Sequence, residues 1–275
     1  MTRGWFGVAT ALALAVALTF LTLPIVALFV EQPPGELLDA LGEEGALDAL
    51  WLSLRTTTAA MVLIVGIGTP AAYFLATRRF RGRSALITLI ELPLVLPPAV
   101  AGIALLAAVG PAGLLGGWVE DAGLQLTLAT AGVVVALTFV AAPFHIRQAI
   151  AAFETIDPNL VAASRTLGAG PARTFFRVTL PLSRGGLAAG EALAFARGLG
   201  EFGATIMFAG SLQKVTQTLP LAIYAEFEVN FDVTLAISAL LVLISAAVLI
   251  SLKLTSLWQP SEQISSSRFA RLSWS

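Results

Sequence analysis

The stretch Val161-Ala-Ala-Ser-Arg-Thr-Leu-Gly-Ala-Gly-Pro-Ala-Arg-Thr-Phe-Phe-Arg-Val-Thr-Leu-Pro181 is the longest polar, basic interruption in a chain otherwise made of long apolar runs. Asp157-Pro158, just ahead of it, suits a helix start. An Asp carboxylate can accept from the free N–H groups of a first turn, and proline is tolerated where no N–H is needed. Leu160, Ala163, Ser164 and Leu167 recur at helical spacing, which predicts a short helix with one small, weakly apolar face. Gly168 is the expected stop. Pro171 then opens a second short helix with a greasier face of Phe175, Phe176 and Val178, and Leu180-Pro181 is expected to turn the chain into the next span. Two readings fit: an amphipathic loop lying on the membrane surface, or a docking knob for a soluble partner.

Composition narrows the class. The 275 residues are 57% hydrophobic and only 12% charged, where soluble domains carry about a quarter. Mean hydropathy is +0.87. The absence of cysteine removes disulfides, thiolate metal sites and cysteine nucleophiles, and the single His145 cannot build a multi-histidine metal site. There is no Gly-x4-Gly-Lys-Ser/Thr phosphate loop; the only lysines, Lys214 and Lys253, follow Gln and Leu. The chain is therefore not expected to bind and split ATP, or to hold a metal or other cofactor.

Taken in order, Trp5 to Val30 reads as a retained first span at about 20 residues per crossing. It lacks a clear cleavage site, and Arg3 is a thin charged region for a signal peptide. The segment Glu31 to Asp48 is acidic and free of Lys and Arg. Leu50 to Thr77 is the second span, with Arg55 near its start and Pro70 near its end, and Arg78, Arg79, Arg81 and Arg83 follow in a tight turn. Leu86 to Val109 is the third span, where Leu92-Pro-Leu-Val-Leu-Pro-Pro98 must kink or break the helix. A Gly-rich connection over Gly110 to Gly123 leads to the fourth span, Leu124 to Ala149, interrupted by Pro143. Gly185 to Phe208 is the fifth, Ala209 to Asn230 a mostly polar loop, and Phe231 to Leu254 the sixth. The pattern predicts an all-α integral membrane protein of about six transmembrane helices. It divides into a first helix and acidic external loop (1–49), a core of five helices with a loop over 151–184 (50–254), and a flexible tail (255–275).

Basic residues set the orientation. Arg3, the Arg78–Arg83 cluster, the five arginines from Arg147 to Arg184, and Lys253, Arg268 and Arg271 fall on one side; Lys214 and Arg55 belong to the other. The positive-inside rule places both termini and the basic loop in the cytoplasm of a multi-pass cytoplasmic-membrane protein.

Glu191, Arg197 and Glu201 lie within the fifth span, at a cost of roughly 2.5–3.5 kcal/mol each at mid-helix. Arg197 and Glu201 are four apart and can pair on one face. Gly198, Gly200 and Gly203 around them would let another helix approach closely. The pair is either a structural bond between helices or part of a polar stripe along a translocation route. Glu91, in the broken third span with Pro97 and Pro98, is a second candidate for that route, or an interface position near the cytoplasmic end. His145 reads as an interfacial residue.

Two motifs carry a family resemblance. The run from Val161 to Pro181 resembles the EAA loop of ABC-importer permeases, matching at Ala162, Ala163, Gly168, Val178, Leu180 and Pro181, with Val161 where that family has Glu. Phe195-Ala-Arg-Gly-Leu-Gly-Glu-Phe-Gly-Ala-Thr205, with Leu92 to Pro98 and Gln217 to Tyr224, resembles the signature of molybdate-type permeases, which group with tungstate and sulfate permeases. Sulfate-type permeases tend to have Glu-Tyr-Gly-Ser where this chain has Glu201-Phe-Gly-Ala204. The resemblance implies a homodimeric permease that takes an oxyanion from an external binding protein and is driven by two copies of a separate ATPase subunit. It implies ATPase coupling through Asp157, Leu160, Ala162, Ala163, Arg165, Gly168, Leu180 and Pro181. It also points to Glu91, Pro97, Pro98, Arg197, Gly200, Glu201 and Gly203 as candidates for the path or for helix packing. Lipid is an expected partner and nucleic acid is not. A sulfate or thiosulfate permease is the near alternative. An ion-coupled secondary transporter would need paired broken helices in two repeats, and a membrane enzyme would need a convergent acid/base or metal set.

Overall fold

The computed structural model describes residues 3–31, 35 and 45–257. Most of the acidic segment after Glu31, and the tail beyond Leu257, lie outside the described residues. Within them the chain is all helix and connection, with no strand. Helix α1 is Arg3–Glu31 and α2 is Ala46–Thr77, which contains a π turn at Ile64–Gly68. Then follow α3 (Arg83–Val95), α4 (Pro98–Val109), the short α5 (Gly116–Asp121), α6 (Thr130–Glu154) and α7 (Pro158–Thr166). Helix α8 runs without a gap over 171–199, through a π turn at Phe175–Thr179. Two short helices, α9 (Gly203–Ala209) and α10 (Leu219–Glu226), precede α11 (Phe231–Leu257).

Four of these, α1, α2, α6 and α11, are long and apolar enough to cross a membrane. Helices α3 and α4 pass the same test only as a pair and meet at 117°. Two adjacent prolines explain the bend: Leu96 and Pro97 are extended, with ψ of 133° and 135°, and Pro98 restarts the helix at its first turn. The third span predicted as Leu86 to Val109 is therefore two helices.

Helix α6 lies at the centre. It buries Val133, Ala136, Leu137, Val140, Ala141, Ala149, Ile150 and Phe153 against α2, α8 and α9. Small residues allow the approach: a Cβ on Gly190 of α8 would fall 3.0 Å from the Gln148 Cβ. Helix α1 buries nothing and, among the described residues, packs chiefly along α11. Its exposed Val, Leu and Phe side chains suit lipid.

Prolines inside the other helices behave differently from the sequence reading. Pro143 does not interrupt α6, which stays helical through it while packed on several sides. Leu180-Pro181 makes no turn, because α8 passes straight through both residues. Pro70 and Pro181 each sit two residues after a π turn. The wider turn shifts the hydrogen-bond register, as in Leu180 N–H to Phe175 C=O, so the missing proline N–H does not break the helix.

The segment from Ala209 to Asn230 is not a polar loop. Leu219, Leu221 and Ala222 of α10 are buried, with Thr216, Gln217 and Thr218. Three hydrogen bonds tie the segment down: Leu219 N–H donates to Ser53 Oγ of α2 at 2.7 Å, Leu212 N–H donates to Thr216 Oγ1 at 2.8 Å, and Thr130 Oγ1 of α6 donates to Val215 C=O at 2.8 Å. Composition suggested exposure, and these bonds permit burial. At the other end α11 remains helical through Leu257, so Thr255 to Leu257 belong to the helix and not to a tail.

Candidate functional site

The first candidate is α7 and its supports. Asp157 Oδ1 accepts from Asn159 N–H at 2.9 Å and Pro158 takes the first turn, so the helix begins as the sequence predicts. It ends at Gly168, whose φ of +81° disfavours any side chain. Gly168 N–H donates to Arg165 C=O at 3.0 Å and Ala169 N–H to Ser164 C=O at 3.1 Å, a Schellman closure. No residue of α7 is buried. Leu160 is 47% exposed and Leu167, just past the helix, 88%. Ala162, Ala163 and Arg165 are exposed as well, while Val161 and Ser164 are half-buried and turn toward the protein. Helix α7 thus has an outer face of Leu160, Ala163 and Leu167 and an inner edge of Val161 and Ser164.

That inner edge is braced. Ser164 Oγ lies 3.2 Å from Thr174 Oγ1, which is buried. One residue on, the Phe175 ring stands 4.7 Å from Tyr73 of α2, and Tyr73 stands 5.4 Å from Phe153 of α6. Three elements therefore meet in an aromatic cluster at the root of the loop. Leu180 packs into the same core and does not join α7's outer face.

Arg83 is a support that motif reading missed. Its Nε donates to Leu75 C=O at 2.7 Å, near the C-terminus of α2, and its guanidinium pairs with Glu154 at the end of α6. In the sequence the Arg78–Arg83 cluster is legible only as an orientation signal, since Glu154 lies 71 residues from Arg83 and beyond the expected end of the fourth span at Ala149.

The second candidate is the polar stripe. Arg197 Nη2 lies 2.6 Å from Glu201 Oε2, and the Glu201 side chain is 1% exposed. The contact is ionic rather than a well-directed hydrogen bond. Glu201 is not on the helix face with Arg197, because α8 stops at Leu199 and Glu201 occupies the break before α9. There Oε1 accepts from Ala204 N–H at 2.7 Å, so one carboxylate holds both the arginine and the start of the next helix. Arg197 opens onto a cavity of about 140 Å³ lined by Pro93, Leu96, Pro98, Val140 and Phe144. Gly203 backs the same place: a Cβ there would fall 2.6 Å from the Pro98 Cβ. The structure thus brings together Arg197, Glu201, Gly203, Pro98 and, next to it, Pro97.

The remaining candidates lie elsewhere. Glu91 sits 3.5 Å from Arg147, joining α3 to α6. Gly200 is exposed, and a Cβ on it would meet nothing closer than 3.6 Å, so among the described residues no other helix approaches there. Glu191 is half-buried on α8. His145 is not interfacial but fully buried, with Nε2 2.9 Å from Thr69 Oγ1 beside the first π turn. Among the described residues no three His, Asp or Glu side chains gather as metal ligands.

Comparison with known proteins gives a consistent pattern. Residues 68–257 match the family model described as binding-protein-dependent transport system inner membrane component. The chain is 43% identical over 233 residues to the molybdenum transport system permease protein ModB of Mycobacterium tuberculosis, covering 85% of this chain and 88% of that protein. It is 41% identical over 244 residues to a probable molybdenum ABC transporter permease protein of Haloferax volcanii, covering 89% and 87%. Its fold is similar to that in the crystal structure of a bacterial ABC transporter involved in the import of the acidic polysaccharide alginate, with a TM-score of 0.75 at 17% identity over 92% of this chain and 96% of that one.

Proposed function

The chain belongs to the family of binding-protein-dependent transport system inner membrane components, and on that premise we propose that it carries molybdate (or tungstate) across the cytoplasmic membrane by alternating access. It is the permease component of an ABC importer and not its ATPase. Six crossings are proposed: α1, α2, the bent pair α3–α4, α6, α8 and α11. Both termini and α7 lie in the cytoplasm in this reading, by the distribution of arginine. Residues 50–254 form the permease core, with its coupling loop at 151–184; 1–49 supply the first helix and external acidic loop, and the residues after α11 a cytoplasmic tail.

The observation that carries the reading is α7's outer face. A helix with Leu160, Ala163 and Leu167 turned out, and its inner edge tied at Ser164 to the start of α8, where Phe175 meets α2, is built to be pushed. The proposed partner is an ATPase subunit, one on each of two copies of this chain, with a binding protein delivering substrate from outside. Closure of the ATPase pair moves α7, and the aromatic root passes that motion to α2, α6 and α8. A partner shifts such an equilibrium only through contacts that differ between states.

For the cargo, Arg197 is the cation in the stripe, and Glu201 already compensates it. An anion passing such a pair is attracted but not trapped, which a conduit requires. Molybdate is preferred because the relatives from Mycobacterium tuberculosis and Haloferax volcanii are molybdenum permeases by name. Uptake of labelled molybdate and sulfate by cells expressing the whole transporter tests this; uptake of sulfate alone would replace molybdate with the sulfate or thiosulfate alternative. The docking role is tested by Ala163→Trp, which should abolish co-purification with the ATPase while the permease still inserts. Normal co-purification and uptake would remove that role.

A further inference from the structure

A large cavity lies on the other side of α7. It is a cleft of about 1000 Å³ between the end of α2, the turn into α3, the end of α6 and the inner edge of α7. Arg79, Arg83 and Arg165 line it against one carboxylate, Glu154, which Arg83 already occupies. Among the described residues neither Arg79 nor Arg165 has a carboxylate within 4.0 Å. Val161 lines the same cleft and contributes no charge. A neighbouring cleft of about 770 Å³ shares Arg165 and adds Arg78. Guanidinium groups gathered around a common space repel one another, and an anion placed between them offsets that repulsion.

The position of the cleft identifies the anion. Helix α2 is 32 residues long, about 48 Å at 1.5 Å per residue, against roughly 30 Å of bilayer hydrocarbon. Its Thr77 end therefore reaches the headgroup layer. Phe74 and Phe80, both exposed, pack 5.8 Å apart beside the arginine turn, as aromatic residues do at a membrane boundary. The cleft itself has an aromatic wall of Tyr73 and Phe153 below its arginines. Apolar wall and cationic rim match the two ends of one molecule, an acyl chain and a phosphate.

We propose that this cleft binds the headgroup of an anionic phospholipid, with its phosphate between Arg79 and Arg165. The lipid braces the inner edge of α7 and leaves the outer face free for a protein partner. A carboxylate at position 161 would fill the same charge deficit from within the chain, so Val161 is what leaves the cleft open to lipid.

Native mass spectrometry of the purified, delipidated permease tests this, with phosphatidylglycerol and phosphatidylcholine offered as competing probes. The parent should retain phosphatidylglycerol about fivefold over phosphatidylcholine for each arginine engaged. Arg79→Gln should cut that preference about fivefold, and Val161→Glu should remove it. Thermal stability in phosphatidylcholine nanodiscs shows that each variant is folded, and if Val161→Glu fails to insert, Arg79→Gln carries the test. Equal retention of the two lipids by the parent overturns the proposal. So does an undiminished preference in a folded variant, displacement of phosphatidylglycerol by inorganic phosphate, or expulsion of the lipid when the ATPase is added. Lipid retention by the permease alone is read without the ATPase, so it does not depend on whether the ATPase docks on α7.

Discussion

Gly203 lies against Pro98 so closely that a Cβ added to it would stand 2.6 Å from the proline's own Cβ and 3.1 Å from Ala99 N. The break after α8 and the break before α4 are thus seated against each other. Gly203→Ala should lower stability by about 1–3 kcal/mol through overpacking. Gly200→Ala, where the nearest neighbour would be at an ordinary contact distance of 3.6 Å and φ is −90°, should stay within about 0.5 kcal/mol. Thermal unfolding in detergent compares them, and equal shifts would contradict the contact.

Arg197→Ala leaves the Glu201 carboxylate buried without its cation. The expected loss is about 3 kcal/mol, at the low end for a buried pair because Arg197 keeps some solvent. The double change Arg197→Ala with Glu201→Gln should be milder, since a neutral amide can still accept from Ala204 N–H through its oxygen. Membrane yield and thermal unfolding of the three proteins decide; a double variant as poor as Arg197→Ala would dissolve the pairing argument.

Gly168→Val forces a β-branched side chain into φ of +81°. The strain should be about 1–2 kcal/mol and should fray the end of α7. The permease should insert and unfold normally elsewhere, yet support less transport-linked ATP hydrolysis. Hydrogen exchange over 158–170 would show the fraying; protection equal to the parent would mean that the Schellman closure is dispensable.

Phe175→Ala removes one ring of the aromatic root. With Tyr73→Ala as the second change, a double-mutant cycle should give a coupling of about 0.5–1.5 kcal/mol. Basal ATP hydrolysis by the assembled transporter should persist while stimulation by the binding protein falls. A variant fully stimulated would route the motion through some other contact.

Much of this architecture is legible in the sequence, because long apolar runs and prolines report directly on helix positions. The cap at Asp157, the stop at Gly168 and the break at Leu96-Pro97 are local events, set by residues within a turn of one another. What the sequence hides is non-local. The stretch leading into α10 reads as exposed because Ser53, whose Oγ accepts from Leu219 N–H, lies 166 residues away in the chain. His145 reads as interfacial because nothing near it announces Thr69. The Arg197–Glu201 spacing gives the pair correctly for the wrong reason: i to i+4 implies one helix, whereas Glu201 reaches back from beyond the helix end. Leu180-Pro181 fails in the same way, since a π turn is invisible to a count of 3.6.

The two π turns, at Ile64–Gly68 and Phe175–Thr179, each precede a proline by two residues. Spliced into α2 and α8, they act as slack already wound into two rods that must otherwise move rigidly. A rod with stored slack can twist at one level while its ends stay anchored, without stranding a backbone amide in oil. The membrane then sees a swivel, and the cost of each swing is a change of winding rather than a broken strut.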